Sequence, residues 1–346
     1  MLKTLHRFVL LGLVLAISAG GALHAEPPAL LDASRVPHVG RVGQADYGLF
    51  LLQATPRAYA VSANGAWGWA SAIADDQEAT AERALSNCAA YGGVACRLYA
   101  QDLDVVWPAR PEAAPDAPDL PLAEGPGWAL VPDGRFLWQG PQAARGAYLW
   151  AHGRAAGGAD SRGSQPQPHA RAFNNAGYDV LRLDREPATD ETAAGAQRMR
   201  LALAALRAQG YARVVAAGQS RGAWDALSAL DAPGRADAVI AIAPAAHGPT
   251  GSPAHRWALD DLSRIVAAAR APGTRVAVAT FEGDEYAPDP EGRAAAFARL
   301  APRTAGLLLL DRPPGLHGHG AGSEWRFTLR YADCLLHFAE GRRAGC

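Results

Sequence analysis

The sequence of 346 residues lacks any internal apolar run of transmembrane length, and it lacks an excess of charge of either sign. After the first thirty positions, no segment approaches eighteen uncharged apolar residues, so we expect no membrane span in the mature chain. There are 33 Lys and Arg against 34 Asp and Glu, a net charge of −1. Nucleic acid and anionic membranes both favour a basic surface, so neither is expected as a partner.

Metal and nucleotide motifs are also missing. The ten histidines form no H-E-x-x-H motif, and the four cysteines form no paired C-x-x-C. His317 and His319 are the only close histidine pair, and no third zinc ligand accompanies them. No Gly-rich loop ends in Lys-Ser or Lys-Thr, and no dinucleotide fingerprint follows a first strand. We therefore expect neither a metal nor a cofactor.

The first 25 residues have the pattern of a secretory signal peptide. Lys3 and Arg7 precede an apolar core at 8–17 that is too short to span a bilayer, and small residues follow it. Cleavage after Ala25 or after Ala22 fits this pattern. No cysteine lies near either position, which argues against a lipid anchor. The sequence therefore predicts a periplasmic or secreted protein.

The four cysteines are consistent with an oxidising compartment. Cys88, Cys96, Cys334 and Cys346 form an even set that permits two disulfides in three connectivities. Pairing Cys88 with Cys96 and Cys334 with Cys346 is the economical arrangement, because each pair lies within one local unit. No histidine or acid is placed to activate a catalytic cysteine.

A proline-rich segment divides the chain into two parts. Six prolines lie between 108 and 126, which excludes a helix and favours an extended linker. The segment at 26–107 is predicted to be a small α+β domain in which a disulfide joins helix to strand. Its predicted elements are strands at 58–62, 66–70, 96–100 and 105–107 and a helix at 79–90. Trp67 and Trp69 share one strand face and are interpreted as core or interface residues rather than a sugar-binding platform.

The part from 127 to 346 alternates predicted strands and helices. Such alternation predicts a mostly parallel sheet with helices on both faces, whose reactive groups gather at the carboxyl ends of the strands. An opening hairpin is expected at 128–138. Further strands are predicted at 146–151, 178–183, 212–217, 238–243, 275–281 and 306–310, with helices at 169–176, 191–209 and 257–269.

A Gly-Gln-Ser-Arg-Gly stretch centred on Ser220 carries the main chemical signal. It has the G-x-S-x-G form and lies where a predicted strand turns into a helix. Such a turn forces the serine into a strained conformation and exposes its oxygen above the sheet, and flanking glycines permit close packing. The alternative interpretation is that Ser220 caps the start of the following helix. Because the motif occurs often by chance, the residues around it in the sequence must distinguish the two interpretations.

An acid and a histidine follow Ser220 at the ends of two later strands. The strand at 275–281 leads into Asp284, and the strand at 306–310 leads into a glycine-rich loop with His317 and His319. Asp284 lies among other acids, so a solvated turn is the alternative interpretation. The order serine, acid, histidine along the chain is that of a nucleophilic triad in which imidazole takes the serine proton.

With these motifs, residues 126–346 resemble the α/β-hydrolase family, and most closely its dienelactone-hydrolase-like and esterase-like members. The resemblance implies that Ser220 is the nucleophile, Asp284 the acid and His319 the base, with His317 as the alternative base. It also implies an oxyanion hole formed by the backbone N–H of Arg221 and a second N–H from the loop after the strand at 146–151.

The loop after that strand begins with a His-Gly pair at 152–153, as in the family. By resemblance, Arg154 supplies the second backbone donor, with Ala155 as the alternative. His152 is interpreted as a structural histidine that orients its own loop. The N-terminal domain in turn resembles small secreted modules of bacterial envelope proteins with the same cysteine pattern, and its activity is not assigned.

Only about thirty residues separate the strands at 238–243 and 275–281, too few for a large lid. We therefore expect an open site whose mouth is lined by Arg154, Arg221 and Tyr286, which favours an anionic or hydroxylated substrate. The predicted function is an exported serine hydrolase, a carboxylesterase acting on polar or bulky esters, either small or polymer-linked. A serine peptidase of the same fold and a non-catalytic envelope binding protein are the alternatives. The sequence does not determine the oligomeric state.

Overall fold

The computed structural model describes residues 28–72, 75–287 and 289–346. The predicted signal peptide and both cleavage positions lie outside the described residues. Two sheets, one of four strands and one of eight, organise the part of the chain that the structure describes. No helix in the described ranges is both long and apolar enough to cross a bilayer.

The four-stranded sheet belongs to a small N-terminal α+β domain. Its strands lie in the order β2-β1-β3-β4, and every pairing within it is antiparallel. The elements are α1 (Arg41–Phe50), β1 (Arg57–Val61), β2 (Trp67–Ser71), α2 (Gln77–Ala90), β3 (Arg97–Gln101) and β4 (Asp104–Val105). The predicted strands and α2 are present, whereas α1 was not predicted. Asp76 caps α2 by accepting a hydrogen bond from Ala79 N at 2.9 Å.

An aromatic core joins α1 to this sheet. Tyr47 and Phe50 on α1 are fully buried against Tyr59, and the Tyr47 and Tyr59 rings meet edge to face at 4.9 Å. Trp67 and Trp69 each donate their indole N–H to Asp46 Oδ2 at 2.8 Å. Both tryptophans therefore connect β2 to α1, in agreement with their interpretation as core or interface residues.

Both disulfides have the predicted connectivity. Cys88 on α2 bonds Cys96, directly before β3, and Cys334 bonds Cys346 at the C-terminus. Each bond closes a short loop within one domain. A disulfide stabilises mainly by restricting the unfolded chain, by about 2–3 kcal/mol for loops of this length.

The strands of the eight-stranded sheet are β5 (Ala123–Gly125), β6 (Trp128–Pro132), β7 (Gly146–Ala151), β8 (Tyr178–Arg185), β9 (Val214–Gln219), β10 (Ala238–Ile242), β11 (Ala271–Thr280) and β12 (Thr304–Asp311). Their order in the sheet is β12-β11-β10-β9-β7-β8-β6-β5. Strands β7 to β12 are parallel, β6 runs antiparallel to β8, and β5 pairs antiparallel with β6 at the edge. The mostly parallel α/β fold predicted from the sequence is confirmed.

Helices cover both faces of this sheet. On one face, α4, α5 and α6 pack in a core that includes Leu203, Trp224 and Leu262. On the other face, α3 and α8 contribute Phe173 and Phe327. The helices are α3 (Ala170–Asn175), α4 (Thr192–Ala208), α5 (Arg221–Ser228), α6 (Ala258–Ala268), α7 (Pro290–Ala298) and α8 (Trp325–Ala339). Because both faces of the sheet are buried, the sequences of the central strands are almost continuously apolar.

The hairpin predicted at 128–138 is wrong. The chain after Pro132 turns at once, with Phe136 N donating to Asp133 O at 3.0 Å, and forms no return strand. The partner of β6 is instead β5, which lies within the predicted linker. The division into domains at 108–126 stays a prediction, but the sheet already begins at Ala123.

Parallel register brings several strand ends to one edge of the sheet. Ala151 at the end of β7 pairs with Gly218 on β9, and Gln219 pairs with Ile242 on β10. Farther along, Thr280 pairs with Asp311 at the ends of β11 and β12. The loops that leave these ends carry the residues singled out in the sequence, so side chains distant along the chain gather in one place.

Candidate active site

Ser220 occupies a strained turn between β9 and α5. Its backbone lies at φ 55° and ψ −118°, a region that non-glycine residues rarely adopt. The turn is held by its own backbone, since Ser220 N donates to Ile242 O at 3.0 Å and Ser220 O accepts from Trp224 N at 3.0 Å. The side chain makes no capping hydrogen bond to α5. Its hydroxyl is therefore not engaged as a helix cap.

The two glycines of the motif are required by packing. A Cβ on Gly218 would collide with the backbone of Gly222, and a Cβ on Gly222 would collide with the carbonyl of Ala151 on β7. The turn thus folds back on itself and against the neighbouring strand. This close approach explains why glycine stands on both sides of the serine.

Asp284 and His319 meet in the structure. His319 Nδ1 lies 2.9 Å from Asp284 Oδ1 and 3.0 Å from Oδ2. The Asp284 side chain is 1% exposed, and Tyr286 N donates to its Oδ1 at 2.9 Å. A buried carboxylate with these two donors orients the imidazole ring, and the interpretation of Asp284 as a charge in a solvated turn does not fit this burial.

His317 lies apart from this pair. Its side chain is exposed, and its backbone forms an isolated bridge with Glu282 while the following Gly318 N donates to Glu282 O at 2.8 Å. The geometry therefore places His319, and not His317, beside the acid. The backbone bridge at His317 helps hold the loop that presents His319.

The sheet order, the antiparallel β6 and the strained serine between β9 and α5 together define the architecture of this domain. The larger domain has the α/β-hydrolase fold. Asp284 follows β11 and His319 follows β12, so both lie on loops after strands that come later in the chain than β9.

Ser220 and Tyr286 line the same cavity, which has a volume of about 510 Å³. The Tyr286 ring packs on the His319 ring with centroids 4.3 Å apart. His319 Nε2 is buried and has no hydrogen-bond partner among the described residues. Asp284 therefore engages Nδ1, and Nε2 is the ring nitrogen left for a further contact.

Gln219 links the serine to the histidine loop. Its Nε2 donates to His319 O at 3.3 Å, and a Cβ on Gly153 would lie 2.5 Å from its Oε1. The same Cβ would lie 3.2 Å from Ser220 Cβ, so the loop after β7 packs directly against the turn that carries Ser220. Gln219 was not predicted to be a site residue, although it lies inside the Gly-Gln-Ser-Arg-Gly motif, directly before Ser220.

The two expected oxyanion donors border this cavity. Arg221 is the first residue of α5, where backbone N–H groups have no partner within the helix. Arg154 and Ala155 follow Gly153 and also line the cavity. Both sides of the predicted hole therefore lie next to Ser220, with Arg221 on the helix side and the loop after β7 on the other.

His152 has the structural role that the sequence suggested. Its Nδ1 lies 2.7 Å from Gly153 O, and its Nε2 accepts a hydrogen bond from Arg185 N at 3.2 Å. Burial and the nearby Arg185 charge lower the pKa of His152 to about 4. The imidazole is thus neutral at ordinary pH and does not face the substrate as an acid.

Arg221 differs from expectation in one respect. The residue borders the cavity, but its guanidinium is turned inward, where it donates to Asp190 O at 3.2 Å and Ala246 O at 2.9 Å. Burial lowers its pKa. Arg154, by contrast, is exposed at the cavity edge. Arg154 is therefore the arginine available to a substrate.

The segment between β10 and β11 forms one wall of the cavity. Ala246, Gly248 and Pro249 border it, and Thr250 donates both its N–H and its hydroxyl to Glu285 O at 2.9 and 2.8 Å. This wall is therefore tied to the loop that carries Asp284. In the described ranges, no group of three or more His, Cys, Asp or Glu side chains is placed to hold a metal ion.

No family model and no curated protein matches this sequence. Among solved structures, the chain is similar to an esterase from Pyrococcus furiosus, with 14% identity over 61% of this chain and 87% of that chain and a TM-score of 0.42. A puromycin-hydrolyzing peptidase from Mycobacterium tuberculosis has 15% identity over 62% of this chain and 37% of its own, with a TM-score of 0.44. The dienelactone hydrolase from Anabaena variabilis has 20% identity over 61% of this chain and 91% of its own, with a TM-score of 0.39. At this level of similarity, activities do not transfer between proteins.

Proposed function

We propose that this protein is a serine hydrolase that cleaves carboxylic esters through an acyl-enzyme. The observation that supports this most strongly is the pairing of His319 Nδ1 with buried Asp284, while its Nε2 has no partner among the described residues. In this arrangement Asp284 accepts a hydrogen bond from Nδ1–H and leaves Nε2 to act as the base, and it stabilises the imidazolium formed during reaction.

The proposed reaction has two stages. Ser220 Oγ attacks the ester carbonyl carbon while His319 Nε2 takes the hydroxyl proton, and the backbone N–H groups of Arg221 and Arg154 stabilise the oxyanion. The intermediate collapses to an acyl-serine, and the alcohol leaves with the proton from His319. Water then attacks the acyl carbon, His319 takes its proton and returns it to Ser220, and the acid is released.

The decisive test is labelling by a fluorophosphonate probe. We expect the probe to modify the wild-type protein at Ser220, and we expect Ser220→Ala to abolish labelling and p-nitrophenyl acetate hydrolysis together. Ser228→Ala is the matched control, because that hydroxyl donates to Trp224 O at 2.9 Å within α5, outside the cavity lining. A folded wild-type protein that is not labelled would instead favour a non-catalytic binding protein.

We further propose that the substrates are polar or bulky esters, anionic or hydroxylated ones included. The cavity is open, and Arg154 and Tyr286 border it. A panel of soluble short-chain esters, charged esters, medium-chain lipid esters and peptide amides measures this preference by kcat/KM. Lipid esters cleaved a hundredfold faster than soluble ones would contradict the proposal, and faster cleavage of peptides would favour a peptidase.

Export to the periplasm or the medium completes the proposed function. It is supported by the signal-peptide pattern of residues 1–25 and by the two disulfides, which suit an oxidising compartment. N-terminal sequencing of the protein recovered from a periplasmic fraction tests it. We expect the mature chain to begin at Glu26 or at Leu23.

A further inference from the structure

Arg185 is a fully buried arginine directly behind the proposed oxyanion hole. It is the last residue of β8, next to β7 in the sheet, and its side chain is 0% exposed. The backbone pairing of β8 does not require an arginine side chain at this position. A buried guanidinium is stable only when opposite charges and hydrogen-bond acceptors surround it. Its contacts therefore indicate why it is present.

Two of these contacts hold His152. The backbone N–H of Arg185 donates to His152 Nε2 at 3.2 Å, and Nη2 of the guanidinium donates to His152 O at 2.6 Å. Since Nε2 accepts a hydrogen bond, the neutral ring carries its proton on Nδ1. That proton is donated to Gly153 O, 2.7 Å away.

The hydrogen bond to Gly153 O sets the direction of the next N–H group. Gly153 C=O and Arg154 N–H belong to the same planar trans peptide and point in opposite directions. Holding the Gly153 carbonyl toward His152 therefore turns the Arg154 N–H away from it. Gly153 itself packs against Ser220, so a rotation of this peptide would replace a donor with a carbonyl oxygen beside the nucleophile.

The opposite side of the guanidinium is anchored to the nucleophile helix. Arg185 Nε donates to Asp190 Oδ1 at 2.9 Å and lies 3.6 Å from Asp225 Oδ2 on α5. Arg221, the first residue of α5, donates to the carbonyl of the same Asp190 at 3.2 Å. We call Arg185, Asp190, Arg221 and Asp225 the buried ion cluster. It contacts both segments that supply the proposed oxyanion donors.

We propose that Arg185 is a positioning residue that sets the orientation of the Arg154 N–H and its spacing from the Arg221 N–H. This inference rests on the proposed function, because it concerns the oxyanion hole of the same reaction. Arg185 does not touch the substrate. It acts through His152 on one side and through Asp190 and Asp225 on the other.

The test compares Arg185→Lys with Arg57→Lys. Lysine keeps the charge at 185 but cannot reach His152 O and Asp190 together, so we expect kcat for p-nitrophenyl acetate to fall about 10- to 100-fold with KM changed less than about threefold. Arg57 is the matched control, since it is also buried and its guanidinium donates to three backbone carbonyls, of Phe50, Leu51 and Asp102, in the small domain. Arg57→Lys should lower the melting temperature and leave kcat unchanged.

Inhibitor binding separates positioning from a general loss of structure. A trifluoromethyl ketone forms a hemiketal oxyanion at Ser220, so its inhibition constant should rise in Arg185→Lys by the same factor as kcat/KM falls. The product alcohol, which has no oxyanion to place in the hole, should bind as before. Equal kcat in Arg185→Lys and wild type would overturn the proposal.

A second pair of variants covers the case in which Arg185→Lys does not fold. The amide nitrogen of an asparagine at 152 replaces Nδ1 as donor to Gly153 O, whereas a leucine has no donor. We expect His152→Asn to retain at least about ten times the kcat of His152→Leu. Equal kcat in these two variants would contradict the proposal. Absence of fluorophosphonate labelling in both the wild type and Arg57→Lys would instead refute the proposed function itself.

Discussion

At the scale of single residues, the structure distinguishes two histidines that the sequence left as alternatives. His319 touches both oxygens of Asp284, whereas His317 is exposed and shares a backbone bridge with Glu282. They lie two residues apart in one glycine-rich loop, and they differ in which side chain the loop turns toward Asp284. Gly318, between them, has φ 76°, and this left-handed residue sets the turn.

We therefore expect unequal effects from the two alanine substitutions. His319→Ala removes the proposed base and should lower kcat by at least about a thousandfold, because loss of one member of a triad removes the action of the whole unit. His317→Ala should stay within about threefold of wild type, since its side chain lies outside the reaction. Steady-state kinetics on an ester measures both. Equal losses would contradict the assignment of His319.

A second residue-scale prediction concerns His169, which is fully buried beneath the sheet edge. Its Nε2 lies 2.9 Å from Tyr148 Oη, and burial lowers its pKa to about 3. In the unfolded chain histidine titrates near pH 6.5, so unfolding takes up a proton at pH values between 3 and 6.5. Stability should therefore fall as the pH falls through this range.

Replacing the imidazole should flatten that dependence. For His169→Leu we expect the free energy of unfolding between pH 4 and 6 to vary less steeply than in wild type by about 1 kcal/mol per pH unit, the contribution of one proton. Tyr148→Phe is the control, because it removes the hydroxyl partner and keeps the titrating ring. Urea denaturation at several pH values measures the slopes. Parallel slopes for His169→Leu and wild type would exclude this role.

At the scale of elements, the strand–serine–helix turn was predictable because its signal is local. The apolar run of β9, the glycine spacing and the helical spacing after Ser220 all lie within about fifteen residues. The order of serine, acid and histidine along the chain was predictable for the same reason, because each of the three residues follows a strand with a local apolar pattern. What the sequence could not show is the distance between these strand ends, which depends on sheet order.

The elements that were missed depend on distant partners. Helix α1 has a weak apolar pattern interrupted by Gly43 and Gly48, and its burial comes from Tyr59 on β1 and Trp67 on β2. Strand β5 has only three residues in a proline-rich segment and exists because β6 offers it an edge. The buried ion cluster joins residues up to forty positions apart. None of these contacts leaves a periodic pattern.

Close packing at the turn gives the element-scale prediction. Gly222→Ala would place a methyl group against the backbone of Ala151, which cannot move without disturbing β7. We expect a loss of about 3 kcal/mol or more in unfolding free energy, at the upper end of the cost of overpacking. Activity per folded molecule should also fall, because the strain reaches Ser220.

Gly48→Ala is the matched control for this substitution. Gly48 lies inside α1, and a Cβ there meets no other atom within 4 Å. Alanine is a better helix former than glycine by about 0.5–1 kcal/mol, so this variant should be more stable than wild type. Thermal and urea denaturation measure whether each substitution raises or lowers the unfolding free energy. A Gly222→Ala variant as stable as wild type would contradict the close packing of the turn at Ser220.

At the scale of the whole molecule, the two sheets are joined by specific contacts as well as by the chain. Thr55 N donates to Gln165 Oε1 at 3.1 Å, and Gln165 Nε2 donates to Thr55 O at 2.9 Å. Asn175 Nδ2 donates to Leu51 O at 3.1 Å, and Leu137 packs into the aromatic core of the small domain. The sequence predicted two domains and offered Trp67 and Trp69 as core or interface residues, but it did not indicate the contacts of Thr55, Gln165, Asn175 or Leu137.

This interface predicts that the two domains unfold together. Leu137 leaves the large domain to complete the core of the small one, so neither core stays intact when the other opens. Gln165→Ala removes hydrogen bonds to three atoms of Thr55, a residue only 7% exposed, and should lower the unfolding free energy by about 1–3 kcal/mol. Gln209→Ala, on the exposed end of α4, should change it by less than about 0.5 kcal/mol.

The number of transitions tests this coupling. Wild type should show one calorimetric transition, and hydrogen–deuterium exchange should show β1 of the small domain and β9 of the large domain opening together. Gln165→Ala combined with Leu137→Ala should separate the two, with β1 exchanging before β9. Because neither Gln165 nor Leu137 lines the cavity at Ser220, kcat of the folded double variant should remain near that of wild type. Two separate transitions already present in wild type would show that the domains are thermodynamically independent and that the Thr55–Gln165 contact does not couple them.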